Sequence, residues 1–509
     1  MANPDIIVIG AGHNGLVAAA YMAKAGRKVL VLERRAEAGG QLAPVAYGKD
    51  FDVDPLHAGG RLRPDIVRDL GLAQHGLHSA DGGPATAYVA PLPDGGLLRL
   101  SADARDAATL ESIRQLSESD AARWPEFVQF MNTASAFLDA AQATPMPRLT
   151  NAAMIEQGRP LAALAWRLRR LGSKDMFRVM RSLSMSAVEF TEEWFESESI
   201  RAALGALAVH GSTLGSMSAG TGYTLIHNWL NRGGPAHREV PGGSRQIATS
   251  LTAAFRAAGG ELRTQSPVAQ ILVDRQQVRG ARLASGEEIL APIVVSDADP
   301  RHTLLGLVGA PDLPPEFVWQ AQSIRMRGSV AKVHVLTDGA HGLPQGTIAL
   351  APTLKYVERA YDAAKYGEIS TQPCLEITTS GSVVSIHFQF APYALRQGDW
   401  QEARETVERL AVQTVAEHFP AFGSHVREIR SISPLDLEQT WGLTEGDLNH
   451  GQLILDQLFF MRPIPGWSDH RTPIDGLYLC GSGVHGGGGI SGVSGRNAAR
   501  RMLQVAGRR

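Results

Sequence analysis

At 509 residues the chain is long enough for two or three domains and a large buried core. Lys and Arg (49) nearly balance Asp and Glu (51), which argues against a nucleic-acid surface or an acidic tail. With only Cys374 and Cys480, a disulfide scaffold and a thiolate zinc site are excluded, and a reducing, cytoplasmic setting is expected.

The first residues, MANPDIIVIGAG, enter an apolar run at once, so no signal peptide is expected. Residues 5–15, DIIVIGAGHNG, place a strand directly before Gly10-x-Gly12-x-x-Gly15. An Ala-rich helix is expected from about Leu16 to Ala25, with Gly26 as its stop, then a second strand from Lys28 to Leu32 that ends at Glu33. Strand, glycine turn, helix, strand and acid in this order predict a dinucleotide fold. Gly10 makes the tight turn, Gly12 admits a pyrophosphate to the backbone, and Gly15 lets the helix pack close. The helix N-terminus offers N–H groups to phosphate, and Glu33 would accept hydrogen bonds from a ribose. FAD and NAD both satisfy this much.

Farther along come the doublet Gly39-Gly40, then Gln41, and Phe51-Asp52-Val53-Asp54. Helices are expected over Ala107–Leu116 and Trp124–Ala143. Residues 159–181 combine Leu, Trp and Phe with seven basic residues, and EFTEEWFESE follows with the opposite sign. The preferred reading is a solvated helix face paired with that acidic run; the alternative is a basic amphipathic helix lying on an anionic membrane. Residues 202–231 carry no Asp, Glu, Lys or Arg, yet are rich in Gly, Ser and Thr with His210 and His227, so they read as buried helix and loop around a cavity rather than a span.

Val240-Pro241-Gly242-Gly243-Ser244 opens a helix through Leu251 and Phe255, followed by Gly259-Gly260, a strand over residues 268–273, a GARLASGEEI hairpin and Ile293-Val-Val-Ser-Asp297-Ala-Asp-Pro300. Strands are expected over Ser329–Thr337, Thr347–Ala351 and Val383–Phe390, and a helix over Gln401–His418. Near the end, residues 456–463 read DQLFFMRP, and a strand ending at Cys480 runs into eight glycines between Gly481 and Gly495. Glycine costs about 0.5–1 kcal/mol per residue relative to alanine in regular structure, so such a cluster implies φ > 0 turns or close backbone approach to a ligand. No repeat or low-complexity linker is present.

These motifs together resemble the phytoene desaturase-like, or carotenoid oxidoreductase, branch of the FAD-dependent amine oxidase superfamily. The GG doublet, the FD segment, the VVS-x-AD-P strand end and the run Gly481-Ser-Gly483-Val-His485-Gly-Gly-Gly-Gly489-Ile490-Ser491-Gly-Val carry the likeness. Residues 456–463, with Gly446 and His450, are similar to the sub-branch that contains pyridine nucleotide-disulfide oxidoreductase domain-containing protein 2 and its bacterial relatives. Asp297 stands where the branch has Asn, Gly486 and Ser491 where it has Pro, and Gln41 where many members have Arg.

The resemblance implies an α/β architecture: a discontinuous Rossmann-type FAD domain from residues 1–70, 235–305 and 455–509, a helical cap over 71–234, and a mixed-sheet substrate domain over 306–454. It implies FAD as cofactor, held by Gly10, Gly12, Gly15, Glu33, Arg34, Gly39, Gly40, Gln41, Val268, Gly481, Gly483, Gly489, Ile490 and Ser491. With Gln41 in place of Arg, a cation for the phosphates or flavin would come from Arg34, Arg35 or Arg61. A helix N-terminus near Ile490 would face the reduced flavin.

Hydride would pass from a hydrophobic, isoprenoid-like substrate to the flavin, with oxygen or a quinone as acceptor. An amine oxidase and a non-catalytic FAD-containing assembly protein remain alternatives. His485 is the candidate catalytic residue, as base or substrate anchor, against a reading as a turn histidine; His57 and His210 follow it. No metal site is expected, and Cys480 reads as a small buried residue. Location is expected to be cytoplasmic, with a peripheral membrane contact as the alternative; oligomeric state is not legible.

Overall fold

In the computed structural model, residues 3–49, 51–57, 59–77, 86–148 and 158–506 are described. The strand Ile6–Ile9 is buried at every position, as an apolar run without alternation requires when both faces of a parallel sheet are covered. It pairs in parallel with Val29–Leu32 on one side and Ile293–Ser296 on the other. Leu477–Leu479 and Glu261–Arg263 complete a five-stranded parallel sheet drawn from three distant stretches of chain. The helix His13–Lys24 lies on one face, starts three residues before the predicted position, and packs against the helices Arg245–Ala257 and Val493–Ala506. Close approach is enforced at Gly495, where an added Cβ would meet the Asn14 carbonyl oxygen at 2.2 Å.

A second, seven-stranded sheet runs in the order Val426–Ile432, Val330–Thr337, Val383–Gln389, Cys374–Ser380, Thr347–Leu350, Tyr88–Pro91, Leu97–Leu100. Its last two strands come from the stretch expected to be mostly helical. They are four residues each, too short for a periodic signal, and are joined to the sheet by the parallel pairing of Thr347–Leu350 with Tyr88–Pro91. The helix Trp400–His418 covers this sheet and is capped by Asp399, whose carboxylate accepts the Gln401 and Glu402 N–H groups at 2.8 and 3.0 Å.

The uncharged stretch resolves into two buried helices, Glu198–Val209 and Thr221–Arg232, the second packed between the first and Glu118–Ala143. Trp124, Phe127, Phe190, Phe195 and Trp229 interlock between them, each aromatic pair contributing about 0.5–1.5 kcal/mol beyond burial. Among the described residues no helix is long and apolar enough to cross a membrane.

The basic stretch forms the helices Arg159–Arg170 and Gly172–Ser182. Arg178 and Lys174 pair with Glu126, and Arg181 with Glu193 of the acidic run, so part of the charge is met within the protein. Trp166 and Phe177 on the same helices are 62% and 70% exposed.

Candidate functional site

A long cleft starts where the central strands end. Gly10, with φ +92°, turns the chain out of Ile6–Ile9, and the following helix begins at Gly12 with no side-chain cap, so its N–H groups stay available. A Cβ on Gly15 would meet the Gly10 carbonyl oxygen at 2.4 Å, and one on Gly40 the Gly12 Cα at 3.0 Å. Gly39, with φ +127°, donates its N–H to Ala11 O at 2.8 Å and so lays the doublet beside the turn. Glu33 ends the second strand buried, accepting the Ala11 N–H at 2.8 Å and the Arg35 N–H at 2.9 Å. Glu33, Arg34, Arg35, Val268, Trp441 and Leu443 line the outer end of the cleft.

His13, Gln41 and Ser482 line both this cleft and a second, inner cavity. Gln41 is fixed by donating to Leu448 O at 2.9 Å, so its Oε1 accepts from His57 Nε2 at 2.9 Å and the His57 Nδ1 keeps its lone pair. Gly489 and Ile490 form one wall; His227, Asn231, Arg232, His237 and Arg238 form another. Lys332 enters from the seven-stranded sheet, buried in a strand whose other residues are apolar except His334 and Thr337. Its ammonium donates to His387 Nδ1 at 2.9 Å, His387 Nε2 donates to Gln389 Oε1 at 2.9 Å, and Gln389 donates to Ser212 O at 2.6 Å. Among the described lining residues there is no Asp or Glu, and the aliphatic side chains are Leu56, Leu448, Leu453 and Ile490.

Burial decides the charges here. It lowers Lys332 to about 8, with nearby Glu376 partly opposing. It lowers His57 to about 3, His13 and His227 to about 4, and His210 and His387 well below the usual histidine range, so these rings are neutral at neutral pH. Behind the wall lies Glu376. Burial raises its pKa, but Arg232, His210 and His237 outweigh that and hold it well below the usual carboxylate range. Arg232 takes both carboxylate oxygens, at 2.8 and 3.1 Å, while His237 and His210 lie 2.9 and 3.2 Å from Oε1. His210, His237 and Glu376 thus bring three metal-type donors together, which the sequence did not suggest. The guanidinium already on that carboxylate makes the group an ion-pair network.

Several predicted site residues fall elsewhere. Gly481 and Gly483 line neither cavity: an added Cβ would meet Asp297 O at 2.4 Å and Pro300 Cδ at 2.3 Å, so both serve backbone packing, and Ser482 between them faces the cavities instead. His485 is buried outside both cavities, its Nε2 donating to Thr144 O at 2.9 Å, which favours the turn-histidine reading. Ser491 lines a separate cavity with Arg61 and Arg63. The final helix begins at Val493, just past Gly492 at φ +71°, three residues after Ile490. Buried Arg462, absent from the prediction, donates to the carbonyls of Asn449, Gly451, Gln452, Gln457 and Ser482 at 2.7–3.3 Å and fixes the Ser482 backbone.

The residues present fit FAD. The glycine turn excludes any Cβ, the acid stands at the strand end, and the buried Nε2 of His13 lacks a partner where cleft and cavity join. Asp297 completes the fit. Burial raises it to about 8, against the opposing Gly15 and Gly12 N–H groups, so at neutral pH it is an uncharged acid beside the phosphate turn, close in shape to the Asn it replaces. Because the folded state prefers the protonated form, stability drains as pH rises from the unfolded carboxyl range through about 8. Asp297→Asn is expected to melt higher than wild type at pH 9 in thermal scans, with the gap closing toward pH 4; equal melting at pH 9 would contradict the assignment.

Comparison with known proteins agrees. The family model described as flavin containing amine oxidoreductase matches residues 15–503. The chain is 32% identical to pyridine nucleotide-disulfide oxidoreductase domain-containing protein 2 of Rattus norvegicus, over 98% of this chain and 93% of that protein. It is 25% identical to a lycopene-forming phytoene desaturase of Pseudescherichia vulneris, over 98% of each. Among solved structures, cyclohexylamine oxidase from Brevibacterium oxydans has the same fold, with a TM-score of 0.56 and 16% identity over 99% of this chain and 100% of that one.

Proposed function

The chain belongs to the family of flavin-containing amine oxidoreductases, in its phytoene desaturase-like branch, and on that premise we propose that this FAD-dependent oxidoreductase dehydrogenates an organic substrate held in the inner cavity. The observation that carries the reading is the junction at His13, Gln41 and Ser482, where the dinucleotide cleft opens onto a cavity holding the buried Lys332 amine. The chemistry FAD supplies when bound is acceptance of a hydride from a substrate C–H bond. The chain's own groups handle the proton. Lys332, lowered to about 8, exchanges a proton at Nζ near neutral pH, and the His387–Gln389–Ser212 series aims that amine. The neutral His227 ring, flanked by Asn231 at 2.9 Å and Gln142 at 3.3 Å, orients the substrate.

A hydrophobic, isoprenoid-like substrate is poorly supported by walls that offer four aliphatic side chains among histidines, arginines and a lysine. A protonated amine is opposed by the same positive charge. Oxygen or a quinone would reoxidise the cofactor.

The test is anaerobic mixing of yellow, purified holoenzyme with organic donors of several classes. At least one donor is expected to bleach the flavin in a saturable reaction. A flavin that dithionite reduces but no organic donor does would overturn the proposal in favour of a structural cofactor.

A further inference from the structure

The inner cavity has an unbalanced charge. Arg61, Arg232, Arg238 and Lys332 line it and no described lining residue is acidic, while Glu376 behind the wall holds Arg232 by a two-point contact and partly offsets Lys332. Arg238 stands out. It follows the turn at Gly233, its Nε is buried with no hydrogen-bond partner, and among the described residues it forms no ion pair. A guanidinium with a buried, unpaired N–H is costly to maintain, and its planar fork matches a carboxylate at two points. Arg232 displays that geometry on Glu376 a few ångströms away in the fold.

We propose that the substrate carries a carboxylate and that Arg238 binds it. This rests on the proposed dehydrogenase reading and specifies its substrate class. The carboxylate end would be held at Arg238 while the C–H bond to be oxidised is presented toward the junction at His13, Gln41 and Ser482. Specificity against amines follows from repulsion, and against neutral amides from leaving the Arg238 N–H groups unpaired.

The experiment titrates oxidised holoenzyme with benzoate, phenylpropionate and decanoate, and with the matching amides, amines and phenyl phosphate, reading perturbation of the flavin absorbance. Saturable binding is expected for at least one carboxylate, at least tenfold tighter than its amide and amine. Arg238→Gln is expected to weaken it at least tenfold with flavin content unchanged, and Arg238→Lys to restore part of the loss. Amides, amines or phenyl phosphate binding as tightly, no carboxylate binding, or an Arg238→Gln variant that keeps flavin and wild-type carboxylate affinity would each overturn the inference. If Arg238→Gln does not retain flavin, the comparison of carboxylate, amide and amine on wild type decides alone. Donors that bleach the flavin while no carboxylate binds would leave the proposed function standing; carboxylates that bind while no donor bleaches it would remove the function only.

Discussion

Gly12→Val is expected to fold and to be purified colourless. A Cβ at this position would lie 2.3 Å from Asp297 Oδ2, inside the turn that must admit a pyrophosphate. Neither neighbour can retreat: Gly10 is already in a left-handed turn, and Asp297 is pinned at the end of its strand, its N–H donating to Ile9 O at 2.8 Å. The added methyl groups would stand where phosphate oxygens approach the helix N-terminus. A loss of about 100-fold in FAD affinity is expected, some 3 kcal/mol at about 1.4 kcal/mol per tenfold. Flavin absorbance after reconstitution measures this, with circular dichroism as the control for folding. A folded variant that binds FAD as tightly as wild type would remove the turn from the cofactor site.

Lys332→Met is expected to lower kcat/KM about 100-fold at neutral pH, the lower end of what a positioned acid or base contributes. The substitution suits a buried strand in which Val330, Ala331, Val333 and Val335 are apolar, so the fold should persist. With wild type, the rate of flavin bleaching should climb as pH rises through about 8, where the amine loses its proton. In the variant that limb should vanish. Lys332→Arg should not restore it, because a guanidinium stays protonated throughout. Unchanged pH profiles in both variants would show that the amine acts only in packing.

How much was legible follows from how local each signal is. The cofactor half could be read from the sequence because its parts lie side by side: strand, glycine turn, helix and Glu33 all fall within residues 5–33. The inner cavity could be read only in part, through His57 and through the uncharged stretch 202–231, whose His210 and His227 line it. Arg232, His237, Lys332, Glu376 and His387 come from one helix, one loop and three strands, and only the pairing of Val330–Thr337 with Val383–Gln389, Lys332 opposite His387, brings the amine to its partner. One signal was available: a single lysine in GSVAKVHVLT, where an apolar strand has no solvent to give it. The glycine run divides between two uses: Gly489, with Ile490, lines the inner cavity. Its density pointed to a ligand, but Gly481 and Gly483 answer to Asp297 and Pro300, and His485 to Thr144, because glycine serves close backbone packing as readily as close ligand approach.

The five-stranded parallel sheet has a consequence for synthesis. Ile293–Ser296 is the strand to which Leu477–Leu479 adds, and Val493–Ala506 closes over the helix His13–Lys24 from nearly five hundred residues away. Contacts of such sequence separation form late. A nascent chain therefore carries its nucleotide turn long before Leu477–Leu479 and Val493–Ala506 are made, and it lacks one edge and one cover of that layer until they emerge from the ribosome. Until then the Ile293–Ser296 edge is open to mispairing, and a chain halted before Leu477 would present it permanently.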